Sequence, residues 1–362
     1  CGKLFSSLFG VKYLTAMIIS AIVIAAYTTL GGFLAASTTD FIQSIIMSVA
    51  LIVVLIFGVE TAGGIGAVIH NASELPGYLS MTLSYDVNTG KAAPYSALTI
   101  VSTAAWGLGY FGMPHILLRF MAIEDEKKLK LSRRVATIWV VISLFVAVFI
   151  GVIGYTMSKV GALEMLTGSN SETIIVKISA LLSQHGVIFA LLAGVILAGI
   201  LASTMSTSDS QLLAASSAVS SDILGAFRKD SSNKNGSMAA ARITLLVISV
   251  VAAFIARNPD SSVFAIVSFA WAGFGAAFGP VVLFSLFWKR TNKWGALAGM
   301  VCGGSMVFIW KYLIRPLGGI WNIYELLPAF LIACAAIVIV SLLTPKPSKE
   351  IEEEFDRVAQ MK

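Results

Sequence analysis

The feature that leaves this chain the fewest options is a succession of apolar windows, each long enough to cross a lipid bilayer as a helix. Residues 139–154, WVVISLFVAVFIGVIG, show the type: an uninterrupted stretch without a single charge. Roughly 20 such residues span the ~30 Å hydrocarbon core, and because no water is present there to satisfy backbone groups, open sheets are excluded. Windows bounded by charge or turn residues fall near 12–30, 33–59, 95–121, 135–158, 186–224 (long enough to bend), 240–257, 263–287, 295–314 and 323–344. The expectation is therefore an all-α integral membrane bundle with nine spans. Composition agrees: 12% of residues are charged, against roughly 25% in soluble domains.

The formal net charge of +6 raises the question of nucleic acid, and the placement of the charges answers it. Alternating the loops puts EDEKKLKLSRR, FRKDSSNKNGSMAAAR, WKRTNKW and the tail KPSKEIEEEFDRVAQMK on one side. Together with Arg119 that side holds 17 of the 25 Lys and Arg residues. The other eight are Lys3, Lys12, Lys91, Lys159, Lys177, Arg257, Lys311 and Arg315. By the positive-inside rule the first side is cytoplasmic, so the C-terminus is expected inside the cell and the N-terminus outside. Topology accounts for the charge, and no nucleic-acid partner is expected. The tail after Pro345 and Pro347 reads as a solvated cytoplasmic end.

Cys1, Cys302 and Cys334 are too few for a disulfide framework, and the last two lie in apolar runs. The chain opens CGKLFSSLFG, with neither Met nor a signal peptide, which reads as a fragment lacking its first helices. The polar stretch 60–94 is expected to form a short surface helix or a gate.

Within these windows the informative residues are the polar ones. In AGILASTMSTSDSQLLAASSAVSSD, residues 198–222, ten hydroxyl side chains lie between Ser203 and Ser221. At 3.6 residues per turn Ser203, Ser206, Thr207 and Ser210 share one helical face. Hydroxyls and carbonyls can replace the water around a hard cation such as sodium without adding a full negative charge. The same residue types also line ordinary helix contacts in membranes, so the stripe fits both an ion site and packing. Asp209 lies about 200° from Thr207 and is expected off that face.

The third window, YSALTIVSTAAWGLGYFGMPHILLRFMA, crowds Gly107, Gly109, Gly112 and Pro114 into eight positions, which predicts an interrupted helix. Broken helices expose unpaired backbone groups at membrane depth, where secondary transporters bind solutes. Trp106 and Tyr110, one turn apart, would set two aromatic faces beside the break, suited to an apolar ring or a cationic amine; interfacial anchoring and packing are the plainer alternatives. His115 and Arg119 read either as a proton relay or as a packed His beside a snorkelling Arg. FAWAGFGAAFGPVVLF, 269–284, repeats the pattern of breakers and ends in Pro280. In GGFLAASTTDFIQS, Asp40 reads equally as a helix cap or as part of an ion path.

YTTLGGFLAASTTDF, WGLGYFGMPHILLRFMA, MSTSDSQLLAASSAVSSDI and SFAWAGFGAAFGPVVLFSLFWKRTNKWGALAGM together resemble the sodium/solute symporter family and, within it, the sodium/proline symporters. The likeness runs from about residue 3 to about residue 345. It implies two inverted five-helix repeats working by alternating access and coupling sodium entry to import of L-proline, with Na+ as the coupling ion. Residues 1–345 would be the symporter domain, lacking the first helices of its first repeat and hence part of the ion site, and 346–362 the cytoplasmic tail. Transferred residue by residue, the resemblance implies sodium ligation by Ser203, through its carbonyl, and by the Ser206 and Thr207 hydroxyls. It implies a solute pocket at Trp106, Tyr110 and Pro114 and an ion pathway at Asp40. Asp209 stands where the relatives carry serine, and Met113 where glutamine is expected.

Three other readings bear on function. Another small solute, a betaine or other carboxylate, fits the same pocket, and a transporter-like sensor or channel keeps the same bundle. An intramembrane enzyme is disfavoured: no Gly-x-Ser-x-Gly elbow is present, and the sequence does not set how near His115 and His185 come to Ser206. The sequence does not set the oligomeric state.

Overall fold

A computed structural model of the chain describes residues 1–86, 89–227, 234–258 and 262–360. Among them, in chain order, are α1 (Gly2–Phe9), α2 (Tyr13–Thr61), α3 (Ile65–Ser73), a hairpin of β1 (Leu83–Asp86) and β2 (Lys91–Pro94), α4 (Ala97–Ala104), α5 (Pro114–Met121), α6 (Leu129–Lys159), α7 (Ile174–Leu182) and α8 (Val187–Ser217). There follow α9 (Leu224–Phe227), α10 (Lys234–Ile255), α11 (Val263–Phe287), α12 (Lys293–Ile309), α13 (Leu326–Leu343) and α14 (Lys349–Gln360).

Among the described residues, seven helical segments are long and apolar enough to cross a membrane: Tyr13–Thr61, Glu126–Lys159, Val187–Ala226, Met238–Ile255, Val263–Phe287, Lys293–Leu317 and Leu326–Leu343. The windows at 12–30 and 33–59 are joined in α2, whose 49 residues would reach ~73 Å if straight, more than twice the hydrocarbon thickness. The helix turns at Gly32, where φ 63° and ψ −166° leave the helical region; only glycine enters that conformation without strain. The window at 95–121 is the other departure, being divided among α4, a 3-10 segment and α5. The polar stretch after α2 does contain a short helix, α3, whose Val68 and Ala72 are buried.

The chain divides into two compact units, one of residues 1–79, 85–92 and 123–261, the other of 80–84, 93–122 and 262–362. In the first, Val54, Ile150, Ile153, Met157, Ile178, Leu182 and Ile196 are at most 1% exposed and form the core. Lipid tails are as apolar as these side chains, so burial alone gives no drive to associate, and close van der Waals approach must supply it. Gly199 serves that approach: a Cβ there would lie 2.6 Å from the Ala50 Cβ. At Gly58 one would lie 2.7 Å from Ile153.

The second unit packs α11, α12 and α13 around Ala272, Ala276, Val307, Leu326, Ala329 and Phe330. Its helices also touch through small residues, since a Cβ at Gly303 would overlap the Ala276 carbonyl. Asn292 caps α12 by accepting from the Gly295 N–H at 2.9 Å, and its amide donates at 2.8 Å to the Pro345 carbonyl, fixing the chain beyond α13.

Candidate functional site

The hydroxyl stripe lies on α8 in the first unit. Ser206 Oγ and Thr207 Oγ1 both donate to the Ser203 carbonyl, each at 3.2 Å. Two side-chain oxygens and one backbone oxygen thus converge on one spot. Ser203 and Thr207 are exposed and Ser206 half-buried, so this patch is not sealed by the surrounding helices. Such hydroxyl-to-carbonyl bonds are the ordinary resting state of Ser and Thr in membrane helices; rotation about χ1 frees both hydroxyls and the carbonyl lone pair for a cation. All three oxygens are neutral, which suits a hard monovalent ion that must also leave. Ser210, the fourth member of the stripe, donates to the Ser206 carbonyl at 2.8 Å.

Asp209 faces elsewhere, as its angle on the helix requires. It is wholly buried, and Tyr27 Oη, on the first half of α2, donates to its Oδ2 at 2.8 Å. The same hydroxyl lies 3.3 Å from the Met205 carbonyl, so one tyrosine bridges two points of α8. Asp40, on the second half of α2, has a buried carboxylate oxygen and acts electrostatically on Asp209. It lies about two turns beyond Gly32, too far into the helix to cap it. Sequence reasoning named Asp40 and Asp209 separately but missed Tyr27, whose partner is 182 positions away.

The second unit contains the broken span. Backbone geometry is α-helical over Ala97–Ala104, 3-10 over Ala105–Gly112, extended at Met113 (φ −81°, ψ 111°), and helical again from Pro114. Eight residues make an unusually long 3-10 stretch, since its bonds are poorly aligned. Pro114, at the first helical position of α5, needs no N–H there and disfavours helical geometry at Met113. The break therefore lies where the glycines and proline placed it.

A second sequence expectation does not hold. The glycine-rich stretch of α11 is a continuous helix from Val263 to Phe287 with Pro280 inside it. Its glycines serve packing instead: a Cβ at Gly275 would come within 2.7 Å of the Gly109 Cα, and one at Gly279 within 2.9 Å of Phe330. On the facing segment, a Cβ at Gly112 would overlap the Phe274 carbonyl, and one at Gly109 the Trp271 indole nitrogen. The two glycine-rich motifs are thus the two sides of one close contact.

Around that contact the aromatic rings collect. Trp106 is stacked with Trp271 at 5.3 Å, Phe264 at 5.5 Å and Tyr324 at 6.2 Å. Tyr110 stands edge-on to Trp271 at 4.8 Å and is 45% exposed, the more open of the two aromatic side chains read from the sequence. Trp271 Nε1–H donates to the Trp106 carbonyl at 2.9 Å. Tyr324 is anchored twice, its N–H donating to Ser102 Oγ at 3.1 Å and its hydroxyl to the Ser268 carbonyl at 2.6 Å. Trp271, Tyr324 and Phe264 were not singled out by sequence reasoning, although Trp271 stands inside a motif read there for its glycines. Pro114 and His115 are half-buried, and Met113 is 4% exposed.

Residues 1–303 match the sodium:solute symporter family. The chain belongs to that family. Among proteins similar to this symporter, the osmoregulated proline transporter OpuE of Bacillus subtilis is 38% identical over 348 residues, covering 96% of this chain and 67% of OpuE. A sodium/proline symporter of Haemophilus influenzae is 40% identical over 361 residues, 98% of this chain and 69% of that protein. A substrate-bound, outward-open structure of a Na+-coupled sialic acid symporter superposes with a TM-score of 0.73 at 17% identity, over 96% of this chain and 70% of that one. At that identity the likeness concerns the fold alone, a mostly helical bundle; family membership together with the seven apolar helices makes this symporter an integral membrane protein. Its named relatives are transporters.

Proposed function

We propose that this chain carries ion and solute sites of a sodium-coupled importer of L-proline, working by alternating access in the plasma membrane. The observation that carries the reading is the convergence of Ser206 Oγ and Thr207 Oγ1 on the Ser203 carbonyl, in a chain of which proline symporters are relatives at 38–40% identity. In this reading those three oxygens are part of the site that binds sodium as cargo. Trp106, Tyr110 and Pro114 receive the solute, the pyrrolidine ring lying against an aromatic face and its ammonium near a ring's negative surface. Asp40 lines the ion's path. Residues 1–345 form the transmembrane part, and 346–362 a tail in the cytoplasm, the side that collects most Lys and Arg.

Coupling follows from linkage. If sodium binds the outward-open conformation better, and proline does so too, each raises the other's affinity by the same factor. A quaternary ammonium such as a betaine is the second reading, because five aromatic rings, Trp106, Tyr110, Phe264, Trp271 and Tyr324, cluster at one place.

The deciding experiment is uptake of labelled proline by the whole encoded protein in membrane vesicles, with an imposed sodium gradient and with potassium in its place. Accumulation only with sodium is expected. Accumulation in neither salt overturns the reading, and labelled glycine betaine in the same vesicles then tests the alternative.

A further inference from the structure

We propose that Trp271 is a positioning residue for the solute site: its indole holds the backbone of the broken span and sets the orientation of Trp106 and Tyr110. The inference rests on the reading of those two residues as solute-binding.

The contacts all come from one side chain. Where a helix changes from α to 3-10 geometry its carbonyls lose their regular partners, and in a bilayer no water replaces them. The Trp271 N–H supplies a partner for one, the Trp106 carbonyl, at 2.9 Å. The indole plane lies within 14° of the Trp106 ring at 5.3 Å, while the Tyr110 ring meets it at 85° and 4.8 Å. The indole sits where Gly109 has no side chain, because a Cβ there would overlap Nε1. A backbone bond, a stacked ring, an edge contact and a glycine notch thus converge on one residue of α11, and both proposed ligands on the 3-10 segment are fixed by it.

Phenylalanine at 271 keeps an aromatic ring and loses the donor. Histidine restores it: the path Cβ–Cγ–Cδ2–Nε2 sets an N–H close to where Cβ–Cγ–Cδ1–Nε1 sets it in tryptophan. Alanine at 109 displaces the indole without touching it chemically.

The test measures sodium-driven uptake of labelled proline by the whole protein in vesicles for wild type, W271F, W271H and G109A, together with hydrogen exchange of the amides at 105–112. W271F is expected to raise KM roughly five- to tenfold. Its maximal rate and half-activating sodium concentration are expected to stay within about twofold of wild type. W271H should recover most of the KM and G109A should follow W271F, with exchange at 105–112 faster in W271F and restored in W271H. An unchanged KM in W271F overturns the proposal, as does a raised KM that W271H fails to lower. If wild type takes up no proline, the solute reading has failed separately. Exchange at 105–112 then decides the role of Trp271, and identical exchange in W271F and wild type overturns it.

Discussion

Tyr27 and Asp209, on two different helices, are joined by a 2.8 Å hydrogen bond at a point where Asp209 has no solvent exposure. A carboxylate inside a membrane span is expensive unless it is paired or serves the transport path. Here the phenol supplies the donor, so Tyr27→Phe leaves a buried oxygen short of a partner at a cost of about 1–3 kcal/mol. A lower unfolding temperature in detergent is expected. In an Asp209→Ser background the same change should cost clearly less, because the buried carboxyl that accepts from the phenol is gone. Equal costs in the two backgrounds would show that the pair does not matter to stability.

The glycines of the broken span separate into two kinds. A Cβ at Gly112 meets backbone on three sides, overlapping the Phe274 carbonyl and approaching Gly279 N to 2.8 Å and Gly275 Cα to 2.9 Å, whereas Gly107 has nothing within 4 Å. Backbone cannot step aside as a side chain does, so Gly112→Ala is expected to destabilise by about 1–3 kcal/mol or more. Gly107→Ala should be near neutral for the fold. Thermal unfolding of the two variants side by side checks this, and equal midpoints would mean that the helices re-space freely.

These glycines also show what was readable beforehand. The break at 105–113 was legible because three glycines crowd there and Pro114 disfavours helix at Met113, and the joint at Gly32 fell between two windows. The supposed break in α11 was not legible, since glycine records flexibility and close approach with the same letter. Only the facing Gly109 and Gly112 reveal which one applies. The hydroxyl stripe followed from helical periodicity, a local property. Tyr27 and Trp271 act on residues 182 and 165 positions away, and a single sequence holds no trace of such pairings.

Glu74 lies outside the membrane spans and accepts from Lys159, which by that bond and by its charge holds the Glu74 carboxyl below its usual range. A depressed native value means that the unfolded chain binds the proton more readily. The contribution to stability is then present above the unfolded value near 4.3 and is lost as pH falls through the native one. Glu74→Gln should lower the unfolding temperature at neutral pH and approach wild type in acid. A gap that widens in acid would reverse the sign of this account.

At the other end of the chain, Lys289 pairs with Asp356 at 2.6 Å and reaches Glu352 at 4.0 Å, tying α14 to the turn before α12. The pairs are solvent-exposed, so salt screens them over a Debye length of ~8 Å at physiological ionic strength. Limited proteolysis within 346–360 should quicken as salt is raised, and Lys289→Met should cleave quickly at every salt concentration. Salt-independent cleavage of the wild type would mean that the tail is held by something other than these charges.

The three oxygens on α8 make the sharpest functional prediction, because their contributions differ in kind. The Ser203 carbonyl belongs to the backbone and survives any substitution, whereas Thr207 presents a hydroxyl that Ala removes and Ser retains. A cation held by few neutral oxygens loses a large share of its binding when one is deleted: at about 1.5–3 kcal/mol for a bond to a charge, the sodium needed for half-maximal uptake should rise by roughly tenfold or more in Thr207→Ala. Thr207→Ser should stay close to wild type, and Ser206→Ala should resemble Thr207→Ala. Ser208, whose hydroxyl turns back to the Thr204 carbonyl at 2.8 Å, is the control on another face of the same helix, and Ser208→Ala should leave sodium activation unaltered. Proline uptake measured against sodium concentration for the four variants separates the cases. A Thr207→Ala protein with wild-type sodium dependence would remove that hydroxyl from the ion site and leave the stripe as a packing surface.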